Sequence, residues 1–573
     1  MKNKIDKPKF NLNLFHLAIF GIFVISLSIR LYGAYSINLT IPEAEFLLSI
    51  SGIKSNGSVT FLYGLIIRII QFLGFNSDLG IRIVNVVMGA LVTILPALFS
   101  KEIGKRTAII ASIFLTFDPF GIANSIVFSG NIATILFLGL LIETIMHDRD
   151  YLHHLIVLLL IGHGRGLGYF LFISLMFLVF LFFVNRTIIY KTIKLFKEKA
   201  YGKNKITIAG AGIILGLMLA IIFKIPFSNI ASDISSLITG WGGNYQTGNY
   251  PIVYPFAIIS YIPVALIFSM IFLLRKPGEG KIFKGLGALW LALTFAVIAF
   301  YPRHLMIDLI WVSIPFWLIT STIISKVFFE NDHFQIEDWP FLALLLVTGI
   351  NLGLNLISFV YRSIWGLDVT NTLLAILLIS IFAVVLMLYR AYTSSLSKVL
   401  SALVLASIVF SGLLQLSISA RTFGSNKKPE NEILWNGYFE GQDIVEEIVD
   451  DSKNSIKGTS GKLFIFIDEQ VKPPVIWALN DEKLFFQISD LLSNRPELVL
   501  SGMQTIAINE DSYQGQEFIS DSYPLWTWDP IRGFISTDFW NWFFFRNNLQ
   551  YKEYNSIWIN KTIVNNQIKT GAN

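Results

Sequence analysis

Apolar residues along this chain come in long blocks rather than at the spacing of a half-buried strand or helix. Leu155 to Leu160 and Phe170 to Val184 are examples with little polar interruption. A helix needs ~20 mostly apolar residues to cross ~30 Å of hydrocarbon, and about thirteen segments suit that role. They lie near 12–31, 82–100, 107–125, 131–147, 152–162, 167–185, 207–223, 252–274, 285–301, 304–325, 339–358, 370–389 and 399–419. The fifth is the shortest and ends on His163, Gly164 and Arg165. Gly and Pro inside several spans are no objection, since neighbouring helices satisfy the freed backbone groups. The first span is long and lacks a small-residue cleavage site, which predicts an anchor rather than a removable leader.

The pattern changes after Ala420. Residues 421–573 are polar, with Gly, Asn, Asp and Ser turns, and Lys462–Ile467 and Thr505–Asn509 read as strands. Gly441–Asp451 and Glu482–Leu492 read as amphipathic helices. The stretch 61–75 is too short to span and suits a helix lying along the membrane interface. The predicted architecture is a polytopic α-helical membrane protein with about 13 transmembrane helices and a C-terminal extracytoplasmic mixed α/β domain. Its boundaries are 1–420 for the bundle, with a first outer loop at 32–81, and 421–573 for the Trp-rich domain.

Composition agrees: 54% of the 573 residues are hydrophobic and only 14% charged. A soluble domain carries roughly a quarter charged residues. Soluble enzyme, disulfide scaffold and disordered tail are thereby excluded. Lys and Arg set the orientation. Lys2, Lys4, Lys7 and Lys9 precede the first span, and Lys101, Lys105 and Arg106 follow the second. Arg186, Lys191, Lys194, Lys197, Lys199, Lys203 and Lys205 crowd the loop at 186–205. That pattern predicts a cytoplasmic N-terminus in the plasma membrane and a C-terminal domain outside the cytoplasm. The acidic loop at 330–338 fits it badly. The net charge of +5 reports this topology, with membrane lipid as partner and no nucleic acid required. The chain has no Cys, so nothing about compartment follows from redox chemistry.

Candidate chemistry concentrates in the first outer loop. Glu43 and Glu45 follow the first span, on what reads as a surface loop. A carboxylate there can act as general base, with partial burial raising its pKa; the alternative is two solvated loop acids. Arg82, Arg303 and His304 open outer ends of spans, where cations either hold the phosphate of a lipid carrier or snorkel to headgroups. Asp308 lies four residues past His304 and is an intramembrane acid. Trp241 and Tyr245, in W-G-G-N-Y-Q-T-G-N-Y, suit sugar stacking or an interfacial aromatic belt. Trp526, Trp528, Trp540 and Trp542 suit carbohydrate contact, or else core packing or docking on the membrane. Gly162–Gly168 lies between spans and makes no dinucleotide turn. The His residues show no metal-ligand spacing.

Several of these segments resemble the glycosyltransferase C superfamily, in its branch of protein O-mannosyltransferases and lipid A aminoarabinose transferases. They are Ile41-Pro42-Glu43-Ala44-Glu45-Phe46, Gly80 to Pro96 with K-E-I-G-K-R and Asp118-Pro119, and R-H-L-M-I-D-L-I-W-V-S-I-P at 303–315. The tail, with Trp540 to Arg546 and Ile557-Trp558-Ile559, is similar to flippase-associated relatives. Pro42 stands where the family has an Asp, and Asn131 falls near its second acid. The resemblance implies an inverting glycosyltransferase that moves a sugar from a polyprenyl-phosphate donor to an extracytoplasmic protein or glycan acceptor. It makes Glu43 or Glu45 the base and assigns Arg82, Arg303 and His304 to the donor phosphate. Asn131, Trp241 and Tyr245 become sugar or acceptor contacts. The lipid-linked sugar replaces any nucleotide; a divalent metal is compatible, although no ligand set stands out. Two alternatives remain: a non-catalytic relative that binds glycolipid or scaffolds an envelope complex, and a lipid-linked glycan transporter or flippase.

Overall fold

A computed structural model of the chain describes residues 14–51, 61–74, 77–127, 130–147, 179, 253–274, 290–292, 294, 306–329, 338–424, 434, 441–455, 462–486, 495–502, 512–524, 537–545 and 550–563. In its first part α1 (Leu14–Ser36) is followed by two shorter helices, α2 (Ile41–Ser51) and α3 (Phe61–Phe72). Then come α4 (Asp78–Leu98), the short α5 (Ser100–Ile103), α6 (Lys105–Thr116), α7 (Pro119–Ile126) and α8 (Asn131–Met146). After α9 (Val253–Tyr261) and α10 (Pro263–Leu274), a tight turn at Met306–Leu309 leads into α11 (Ile310–Phe329). Three long helices follow: α12 (Trp339–Ile364), α13 (Thr370–Thr393) and α14 (Leu396–Gly424).

This is a multi-pass membrane protein. Among the described residues six helices are long and apolar enough to cross a bilayer, or seven if α6 and α7 form one broken span. The predicted spans at 152–162 and 207–223 lie outside the described residues, as do all of 167–185 but residue 179 and most of 285–301. The span predicted at 107–125 is not straight: α6 and α7 meet at 59°. The cause is local. Asp118 accepts from the Gly121 N–H at 2.8 Å as an N-cap, and Pro119 takes the first helical position, so a new helix starts there. Pro263 likewise divides the segment predicted at 252–274 into α9 and α10, because its nitrogen has no proton to donate.

Residues of α4, α6, α7, α8, α9, α10 and α11 share one hydrophobic core, which includes Val86, Phe120, Ile132, Tyr261, Met306 and Trp317. By contrast, α12, α13 and α14 form an antiparallel layer that meets the bundle through α14, where Ile408 joins the bundle core and Gln415 donates to the Tyr261 carbonyl at 3.0 Å. One end of this layer is tied by Asp338, a buried acid that pairs with Arg390 and lies 3.7 Å from Lys398. One acid of the awkward loop at 330–338 is therefore neutralised by two cations from the same end of the layer.

The polar C-terminal region holds α15 (Gln442–Ser455), β1 (Phe464–Ile467), α16 (Pro473–Ala478), β2 (Lys483–Phe485), β3 (Leu498–Gly502), β4 (Tyr513–Pro524), α17 (Thr537–Phe545) and β5 (Gln550–Asn560). The sheet runs β2-β1-β3-β5-β4, with β2, β1 and β3 parallel and β5 antiparallel to both its neighbours. The helix predicted at 482–492 is corrected at its described start. Residues 483–485 form strand β2, because Lys483 to Phe485 find a parallel partner in β1, and that pairing overrides local helix preference. The strand predicted at Thr505–Asn509 lies outside the described residues.

Several contacts join this domain to the rest. Ala44, Leu47 and Leu48 of α2 share a core with Val445, Val475, Ile476 and Trp477. From α17, Phe539 and Trp542 enter the bundle core, where Trp542 meets Tyr261 at 6.3 Å and Phe539 meets Phe256 at 5.8 Å. Tyr361, near the end of α12, meets Phe545 at 5.4 Å. The domain and the first loop thus cover the same end of the bundle.

Candidate functional site

Under that cover, Glu43 and Arg82 form a buried ion pair, with both side chains at most 1% exposed. Arg82 Nε donates to Glu43 Oε1 at 2.8 Å and Nη2 to Oε2 at 2.6 Å. The other donors go to backbone carbonyls where α1 gives way to α2: Ala34 at 3.0 Å, Ile37 at 2.5 Å and Asn38 at 3.0 Å. All five guanidinium protons are engaged, which is the full donor set of an Arg. Glu43 also accepts from the Thr40 N–H at 2.9 Å and the Thr40 hydroxyl at 3.0 Å. The sequence placed both acids on a loop. Instead they sit on α2, where a helix turns Glu43 inward and leaves Glu45 exposed. The two acids therefore have different surroundings despite being two residues apart.

One turn along α4 from Arg82, buried Asn85 donates to three carbonyls of α7 and its end: Asn124 at 2.6 Å, Ser125 at 3.2 Å and Val127 at 2.7 Å. Asn124 donates to the Ile307 carbonyl at 2.6 Å. Asn131, first residue of α8, donates to Asn124 Oδ1 at 2.9 Å and to Asp308 Oδ1 at 2.7 Å. A line of buried amides thus runs from the turn of Arg82 to the carboxylate of Asp308. Asn131 and Asp308 are 177 residues apart in sequence.

A second network lies alongside. Arg30, fully buried in α1, donates to Ser125 Oγ at 3.0 Å, Ser26 Oγ at 2.6 Å and the Leu115 carbonyl at 3.3 Å. Asp118 accepts from Ser313 Oγ at 2.8 Å and Trp317 Nε1 at 3.1 Å, so the α6–α7 bend is tied to α11. Here α4 and α7 approach so closely that a Cβ on Gly89 would lie 2.0 Å from Ser125 Oγ. Only glycine fits that crossing.

Of the predicted site residues, the structure brings Glu43 and Arg82 together and places Asn131 on the same polar line. It leaves Glu45 on the exposed face of α2. Arg303, His304, Trp241 and Tyr245 lie outside the described residues. Arg30, Asn85, Asn124 and Asp118 are buried polar groups that the sequence reading did not select. Their signal was available, since a charge or amide inside an apolar block is costly unless paired. Among the described residues, no group of three or more His, Asp or Glu is placed to hold a metal.

No protein-family profile matches the chain, and no curated protein matches it. Among solved structures, ArnT from Cupriavidus metallidurans bound to undecaprenyl phosphate is similar at 12% identity and a TM-score of 0.46, covering 84% of this chain and 86% of that one. Its apo state is similar at 11% identity and a TM-score of 0.44, over 85% and 92% respectively.

Proposed function

We propose that this chain is a membrane glycosyltransferase that moves a sugar from a polyprenyl-phosphate donor to an extracytoplasmic protein or glycan acceptor. The observation that carries it is the buried Glu43–Arg82 pair, set beneath α2 and the C-terminal domain at one end of an apolar bundle. Ionisable groups inside a membrane protein mark functional sites because their burial is expensive. This reading puts that end of the bundle outside the cytoplasm, with the N-terminus on the opposite side.

The pair also suggests how the two roles are linked. Arg82 has no spare proton to offer, so a carrier phosphate reaches it only by exchanging with Glu43. That exchange stabilises the leaving phosphate and releases a carboxylate to take the proton of the acceptor hydroxyl or amine. Glu45, the accessible acid of the two, is the other candidate base. In this scheme Arg303 and His304 are assigned to the carrier phosphate, and Trp241 and Tyr245 to the sugar or acceptor, as the sequence resemblance implies. A divalent metal is compatible with the scheme, and no step requires one.

The closed state of the pair favours one further reading, a non-catalytic relative that binds glycolipid without transferring it. A single set of measurements separates them. The full chain in nanodiscs is titrated with undecaprenyl phosphate, then supplied with labelled undecaprenyl-phosphate sugars and membrane-derived acceptor. Binding with label transfer supports the enzyme; binding alone supports the relative; no binding defeats both. Glu43→Gln and Glu45→Gln, singly and together, then locate the base, and full transfer by the double variant would remove both from that role.

A further inference from the structure

The polar line between Arg82 and Asp308 is not hydrogen-bonded to completion. Asn131 is 0% exposed and spends its amide protons on Asn124 and Asp308, which leaves Oδ1 without a donor among the described residues. Asn85 is also 0% exposed, and its amide protons go to three carbonyls while its Oδ1 likewise lacks a donor. In each case the amide nitrogen faces only acceptors, so a flipped amide would be worse. Buried acceptors of this kind cost ~1–3 kcal/mol each unless something supplies a proton.

Beside them, α8 begins at Asn131 behind Gly130, whose φ of 70° is left-handed, and among the described residues no side chain caps that helix start. Its first-turn N–H groups are donors without a side-chain partner. The place therefore presents acceptors (Asn85 Oδ1, Asn131 Oδ1, the Asp308 carboxylate) and donors around the shared partner Asn124. A phosphate can use only the donors. A hydroxyl uses both, because it donates and accepts at once. Asn85 lies three residues beyond Arg82, about 4.5 Å along the helix axis. That offset suits a sugar ring linked to a phosphate held at Arg82.

We propose that Asn85, Asn131 and Asp308 form the hydroxyl-binding subsite for the donor's sugar, with Asn124 fixing their spacing. This rests on the glycosyltransferase reading above and assigns the sugar end of the same site. Recognition is through hydroxyl groups, so the subsite distinguishes a glycosylated carrier from a bare one.

The test uses the full chain in nanodiscs and compares affinities for undecaprenyl phosphate and for its glucose, mannose, galactose and arabinose derivatives, read by native mass spectrometry. The wild type is expected to bind at least one sugar-bearing carrier about tenfold or more tighter than the bare carrier. Asn131→Leu and Asp308→Asn are expected to bring that ratio close to one, while affinity for bare undecaprenyl phosphate changes less than about threefold. Asp308→Asn is nearly isosteric and leaves an acceptor for Asn131, so it carries the test if the leucine variant fails to fold. Sugar preference that survives in Asp308→Asn would overturn the subsite and leave buried water as the partner of these amides. Bare carrier bound with no sugar preference in the wild type would overturn the subsite alone. No binding of the bare carrier would remove the glycosyltransferase reading and the subsite with it.

Discussion

The two helical layers of this protein solve the problem of apolar surroundings in opposite ways. In the main bundle, half of the apolar stretch of α4 and 72% of that spanning the turn at Met306 and α11 are buried against neighbours. In the layer of α12, α13 and α14 the corresponding shares are 11%, 0% and 28%. The bundle carries Arg30, Arg82, Asn85, Asp118, Asn131 and Asp308 in its interior. The layer keeps its charges at its ends, as at Asp338 and Arg390, and turns leucines such as Leu374, Leu377 and Leu378 outward. Charges midway along the helices thus belong to the bundle, although α1, which carries Arg30, is itself only 11% buried and α14 buries Gln415. The bundle has the surroundings of a site, and the layer has those of a membrane anchor facing lipid.

The largest expected effect breaks the bundle's ion pair. Arg82→Leu leaves Glu43 charged and unpaired, and is expected to cost ~3–5 kcal/mol, seen as a large drop in the melting temperature of the detergent-solubilised protein. Combining it with Glu43→Leu should recover part of that loss; a double variant no better than the single would show that the three carbonyl contacts, not the pair, dominate. Next comes Gly89→Ala, whose new methyl meets Ser125 and should cost about 1–3 kcal/mol in the same melts. In the outer layer, Asp338→Asn should cost only about 1 kcal/mol, because Arg390 and Lys398 are partly exposed, and the loss should shrink at high salt. Smallest of all, Leu377→Ala should stay within ~0.5 kcal/mol. If it rivals Gly89→Ala, a protein surface rather than lipid covers α13 and the contrast between the layers collapses.

Much of the architecture was legible because crossing a bilayer leaves a coarse signal. The spans from α12 to α14 begin and end within a few residues of the apolar blocks, and the domain's first strand and helix lie where the polar pattern puts them. The bend at Asp118 carried a local signature too, an N-cap acid followed by proline, though a hydropathy block hides it. The site was legible only in part. Glu43 and Arg82 stand out as charges at span ends, but their mutual contact, 39 residues apart, leaves no local trace. Asn131 drew notice as an uncharged replacement, and nothing near it in sequence announces Asp308. Lys483 to Phe485 misled for a related reason: a three-residue edge strand is defined by the strand beside it rather than by its own residues.

The insertion of α17 into the bundle has a consequence for how the protein is made. Phe256 and Tyr261 lie in the first half of the chain, yet aromatic residues that pack against them, Phe539 and Trp542, come from positions 537–545. Most of the chain must therefore leave the ribosome before the bundle can close. A product that stops at residue 420 would lack not an accessory domain but the final wedge of its own core.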